Sequence, residues 1–159
     1  MKKFLIHTIV IIGLLVFEVL LFKLLPFFLR PNLFLSYIVF LGLFVSHTES
    51  VIYGFINGIV LDFIYLKIFG INSFLLTTIG YLVGWLNKRV NETFKKVQII
   101  VLFLFSVIYF FLYIVFSLIF YFPVKILPIF VFNLISTVLF GYLIIQILFF
   151  IYKKNNLII

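Results

Sequence analysis

Apolar stretches long enough to cross a bilayer take up nearly the whole chain and leave no room for a water-soluble core. They run over residues 4–25, 32–47, 50–66, 70–87, 98–122 and 126–152, with short clusters of lysine and arginine between most of them. Crossing the hydrocarbon of a membrane takes about 20 apolar residues, with about 17–25 common. Within hydrocarbon only helices and closed barrels satisfy the backbone's own polar groups. The pattern predicts an all-α integral membrane protein of about six transmembrane helices, a single polytopic domain over 1–159. With 67% of its residues hydrophobic, 10% charged and a mean hydropathy of +1.43, a soluble domain of this length could not bury its own apolar surface.

Lys2-Lys3 ahead of an apolar run resembles the start of a signal peptide, but no small-residue cleavage site follows, which predicts an uncleaved first helix. The second and third segments are short, and only His47-Thr48-Glu49 lies between them. They read as two short spans, with one broken or re-entrant unit as the alternative. Orientation follows from the basic residues. With six spans and the N-terminus inside, Lys2, Lys3, Lys88, Arg89, Lys95, Lys96, Lys153 and Lys154 lie on the inner side. Lys23, Arg30, Lys67 and Lys125 lie on the outer side. That excess of inner cations places both termini in the cytoplasm, with the loop 88–96 as its clearest mark. The net charge of +8 is accounted for by this topology, so nucleic acid is not an expected partner.

Gly54-Phe55-Ile56-Asn57-Gly58-Ile59-Val60-Leu61-Asp62 is the most informative local stretch. Residues four apart share a helix face, so Gly54, Gly58 and Asp62 form one stripe. Glycine lets a second backbone approach closely, and an ionisable group avoids hydrocarbon unless another group receives it. The chain has no alanine, and five of its eight glycines (Gly54, Gly58, Gly70, Gly80 and Gly84) fall in one central stretch. They mark the expected site of tightest helix packing. On a rise of ~1.5 Å per residue, Gly54 and Gly58 lie about 6 and 12 Å from the inner boundary, and Gly84 and Gly80 about 5 and 10 Å. The two pairs are therefore expected to cross at matching depth, with Gly70 providing the turn.

Asp62 is expected to accept hydrogen bonds from Ser73 and Thr77, or to pair with Arg30 or Lys67. Proton or ion transport is the alternative. Glu18 is a second intramembrane acid. Lys23 follows it at a spacing too poor for pairing along one face, so each is expected to snorkel or to meet another helix. His7 and His47 lack ligand spacing and read as interfacial residues. Without cysteine, thiol catalysis and thiolate metal sites are excluded. No nucleotide loop, metal motif or nucleophile–base set is present, so the chain reads as a non-enzyme without cofactor or metal.

Arg30-Pro31-Asn32 at the head of the second segment, Gly54-Phe55-xx-Gly58-xxx-Asp62 in the third, then Gly70, Gly80-Tyr81-Leu82 and Asn133 together resemble the bacterial rod shape-determining MreD family. The likeness covers the whole chain in layout and is concentrated in residues 30–84. It implies a non-enzymatic multi-pass subunit of the cell-elongation machinery in the cytoplasmic membrane. It also implies binding to the bitopic protein MreC, and through it to MreB filaments and to the transglycosylase and transpeptidase of lateral peptidoglycan synthesis. On the same resemblance, Gly54, Gly58 and Asp62 belong to a packing and partner-contact motif. Arg30, Asn32 and Glu18 join Asp62 as partner-contact or buried polar positions, and Arg30-Pro31-Asn32 sets the entry to the second span. The family is similar in fold to substrate-binding subunits of energy-coupling-factor vitamin transporters, which makes such a subunit the alternative function. The outer loops are short, and the heavy Phe and Ile content leaves few convergent polar groups for a vitamin-sized ligand. A small ion or proton channel resting on Glu18 and Asp62 is a third reading.

Overall fold

The computed structural model describes residues 2–26, 29–65, 69–86, 95–120, 127–155 and 157. Lys67, Lys88, Arg89 and Lys125, and with them most of the basic loop 88–96, lie outside the described residues. Six helices and no strand occur among the described residues: α1 (Lys2–Leu24), α2 (Leu33–Phe44), α3 (His47–Tyr65), α4 (Ile71–Leu86), α5 (Lys95–Ile119) and α6 (Leu127–Lys154). They alternate in direction. Lys3 of α1 bonds Glu49 of α3, His7 of α1 meets Tyr152 of α6, and Gln146 of α6 donates to Gln98 of α5 at 2.8 Å. The starts of α1, α3 and α5 and the end of α6 therefore share one end of the bundle.

Among the described residues, only α1, α5 and α6 are both long and apolar enough to cross a membrane. The others differ from the sequence reading in extent. The second segment was expected to reach residue 47, but α2 stops at Phe44 and His47 begins α3. The break follows from capping: Val45 and Ser46 turn their N–H groups back to the Leu41 carbonyl, and Ser46 Oγ accepts the Glu49 N–H at 3.2 Å. These are two separate helices. With 12 residues, α2 rises roughly 18 Å, well short of the ~30 Å of hydrocarbon. The bundle tolerates this because every residue of α2 is buried and α2 touches all five other helices. A helix that never meets lipid need not match lipid thickness. Lipid tails are as apolar as leucine, so this central position is held by van der Waals packing and hydrogen bonds rather than by escape from water. Gly42 and Gly141 supply part of the fit, since a Cβ at either would fall 2.6 Å from Val83 Cγ1 and 2.2 Å from Ser36 Oγ respectively.

Candidate functional site

The glycine stripe of α3 lies against α4. A Cβ at Gly58 would fall 2.2 Å from Ser73 Cα, and one at Gly54 would fall 2.7 Å from the Leu76 carbonyl oxygen. From the other side, a Cβ at Gly80 would meet the Ser50 carbonyl oxygen at 2.4 Å, and one at Gly84 would meet His47 Nδ1 at 2.6 Å. Each glycine thus receives the backbone or ring of a different residue on the facing helix. This corrects the expected register. The glycine pairs do not meet one another at equal depth; the hairpin is displaced by about two turns, ~10 Å, so the four glycines spread along one seam. Gly70 is not a packing glycine either: a Cβ there would meet nothing within 4 Å. Its φ of +100° is the left-handed turn conformation that glycine adopts without strain.

Asp62 explains the displaced register. Gly70 stands just before the first residue of α4 and has no side chain to cap it. The Asp62 carboxylate takes over that task. It accepts from Gly70 N (3.0 Å), Asn72 N (2.9 Å), Ser73 N (3.1 Å), Asn72 Nδ2 (3.0 Å) and Ser73 Oγ (2.8 Å). The first amides of a helix have no partner within it, and their dipole favours an anion. Asp62 meets both needs and draws the head of α4 back to its own level on α3. It is only 2% exposed, and among the described residues its hydrogen bonds all come from Gly70, Asn72 and Ser73. Thr77 instead donates to the Ser73 carbonyl.

The other residues singled out in the sequence join a polar layer at the same end. Tyr109 of α5 donates to Asn72 Oδ1 at 2.9 Å, and lies within electrostatic reach of Glu18 and Asp62. Asn32 caps α2 by accepting the Leu35 N–H at 2.9 Å, and its own N–H bonds Thr137 Oγ1 of α6 at 3.1 Å. Ser136 donates to the Leu29 carbonyl at 2.6 Å. Arg30 is turned to α1, where it donates to the Phe22 carbonyl at 3.2 Å with its guanidinium 4.2 Å from the Phe22 ring centre. A cation at a helix C-terminus is favourably placed. Glu18 is 5% exposed and faces the bundle.

Sequence reasoning missed a second polar cluster at the opposite end. His7, expected at an interface, is 1% exposed. Its Nε2 lies 3.1 Å from Glu49 Oε2, and its Nδ1 lies 2.7 Å from the Tyr37 hydroxyl and 2.8 Å from that of Tyr152. Tyr53 stacks on the imidazole with ring centres 4.3 Å apart, and Lys3 pairs with the other Glu49 oxygen. A carboxylate at Nε2 calls for an N–H there, which in the neutral ring leaves Nδ1 to accept from a tyrosine hydroxyl. The available signal was spacing, since Lys3 with His7 and Glu49 with Tyr53 each stand four apart and so share a face.

The two polar layers lie at opposite ends of the bundle. Both tie helices together, and among the described residues no group of His, Asp and Glu is arranged to hold a metal ion. No curated protein and no solved structure matches the chain. The family model for rod shape-determining protein MreD matches residues 1–155. With nearly the full length matched, an all-helical bundle and three helices apolar enough to cross a membrane, the chain belongs to the MreD family of multi-pass membrane proteins that determine rod shape.

Proposed function

We propose that this chain is the membrane scaffold of a bacterial cell-elongation complex. It holds the single transmembrane helix of an MreC-like partner and, through that partner, links MreB filaments to the enzymes that insert lateral peptidoglycan. The observation that carries this reading is the α3–α4 hairpin. Its inner seam is consumed by its own glycines and Asp62, so the stripe is an internal brace, and the partner meets the opposite side. That side presents Phe55, Phe63, Phe74, Tyr81 and Trp85, all more than half exposed. Large rings there offer a partner helix van der Waals contact, which drives helix association in lipid.

The chain sits in the cytoplasmic membrane with both termini inside. Lys3, Lys95, Lys96, Lys153 and Lys154 share the end of the bundle that contains His7, while Lys23 and Arg30 lie at the other, in keeping with a cytoplasmic excess of cations.

Because the chain has no cysteine, single cysteines at Phe55, Tyr81 and, as a control, Leu143 of α6 can be crosslinked to cysteines along the partner helix in intact membranes. Crosslinks from Phe55 and Tyr81 but not from Leu143 are expected, as is rounding of rod-shaped cells on depletion. Crosslinks confined to α6, or unchanged shape on depletion, would overturn the reading.

A further inference from the structure

The first helix leaves a slot. Beside the C-terminal half of α1 a cavity of about 300 Å³ opens between it and the α2–α3 pair. Its walls are Leu15, Val19 and Phe22 of α1, Phe34 of α2 and Ile64 of α3, with Glu18 and Lys23 completing the lining. The floor is closed, since Phe34 is 0% exposed, whereas the rims Val19 and Ile64 are 41% and 42% exposed. The slot therefore faces sideways, out of the bundle and into the membrane.

Its chemistry selects what fills it. A void opening on fluid hydrocarbon does not stay empty, and water needs two to four polar partners where this wall is mostly apolar. A volume near 300 Å³ lies at the lower end of ligand pockets and is far too small for a helix. The slot follows α1 from Leu15 to Lys23, roughly 12 Å of depth, which suits a linear chain lying along the helix. Lys23, in the last turn of α1, stands at the mouth, where a lysine stem reaches the interface and its ammonium meets anionic headgroups.

We infer that the slot between α1 and the α2–α3 pair is a phospholipid site, holding one acyl chain between Val19 and Ile64, over Phe34, with the headgroup phosphate at Lys23. The lipid fills the gap beside α1 at this end. This inference needs only that the bundle lies in a membrane and stands apart from the identity of any protein partner.

The test uses the full chain, without partner, in nanodiscs. Trp85 is its one tryptophan, so Trp85→Phe gives a silent background into which Phe34→Trp places a reporter on the slot floor. Lipids carrying bromine on the acyl chain should quench it as strongly as they quench Phe63→Trp, a lipid-facing control. Leu15→Trp repeats the measurement from the α1 wall if the first variant does not fold. Quenching no greater than for a reporter at the buried Leu41 would overturn the inference. Native mass spectrometry then reads the headgroup: phosphatidylglycerol should be retained over phosphatidylcholine, and Lys23→Gln should abolish the preference. Quenching without any preference would overturn the role of Lys23. Quenching that disappears when the bitopic partner is added would assign the slot to a partner side chain and overturn the lipid.

Discussion

The α3–α4 hairpin and α1 are both apolar helical elements of one small bundle, yet they are held by opposite means. The hairpin is closed along its length by glycines that bring backbone to backbone, and at one end by a carboxylate that caps the facing helix. The first helix makes few close contacts. Its single glycine, Gly13, has nothing within 4 Å of where a Cβ would be. It is attached at one end by the His7–Glu49–tyrosine cluster, and at the other by Arg30 on Phe22, beside the slot. In a bilayer, helices gain nothing by hiding apolar surface from one another. Attachment must come from close packing or polar bonds; the hairpin uses both, whereas the first helix has no glycine contact and relies on polar bonds.

The comparison can be broken most severely at Gly58. Alanine there must push apart two backbones, because its Cβ would lie 2.2 Å from Ser73 Cα. We expect about 3 kcal/mol of destabilisation, read as loss of folded protein in reversible unfolding from mixed micelles. Unchanged stability would show that the seam is loose.

Asp62→Ala follows, leaving five donors at the head of α4 without their acceptor, at an expected cost of about 2–3 kcal/mol. Asp62→Asn should lose roughly half of that, since an amide offers one acceptor oxygen where both carboxylate oxygens are now used. Equal losses for Asn and Ala would mean that the charge, rather than the acceptor geometry, holds α4.

His7→Phe should cost about 1–2 kcal/mol and act on α1 alone. Spin labels at the exposed Ile9 and Ile56 should report a broadened α1–α3 distance while the hairpin stays intact. A sharp, unchanged distance would show that the cluster is not the attachment. The smallest effect is expected from Gly13→Ala, within ~1 kcal/mol and in the stabilising direction, because alanine favours helix over glycine where no neighbour intrudes. A large loss at Gly13 would erase the contrast between the two regions.

Much of the fold was legible because the bilayer restricts the choices so strongly. Helix number and order follow from apolar runs separated by cations. The turn at Gly70 and the close-contact glycines can each be read from residue type. Ends were less legible: the boundary between α2 and α3 depends on Ser46 accepting the Glu49 N–H, a hydroxyl geometry that composition does not reveal. The register of the hairpin is hidden from the sequence for a similar reason. Equal spacing of glycines suggested glycine against glycine, but the bonds from Gly70, Asn72 and Ser73 to Asp62 set the depth of α4 instead. His7 was undervalued because its partners lie on α2, α3 and α6, and no local motif announces a cluster assembled from four helices.

By itself, the sequence determined that this chain is a membrane-embedded helical bundle and that its rare small and polar residues gather around the third and fourth helices. Hydrocarbon allows few solutions for a backbone, and any departure from apolar residues within it is conspicuous. The tertiary structure decided what those residues meet: Asp62 facing inward as the cap of α4, the glycines braced against ordinary residues, and a short α2 enclosed by five neighbours. Those outcomes depend on relative displacements of whole helices by one or two turns. Such displacements leave the apolar pattern of every helix unchanged, so only contacts between distant parts of the chain could select among them.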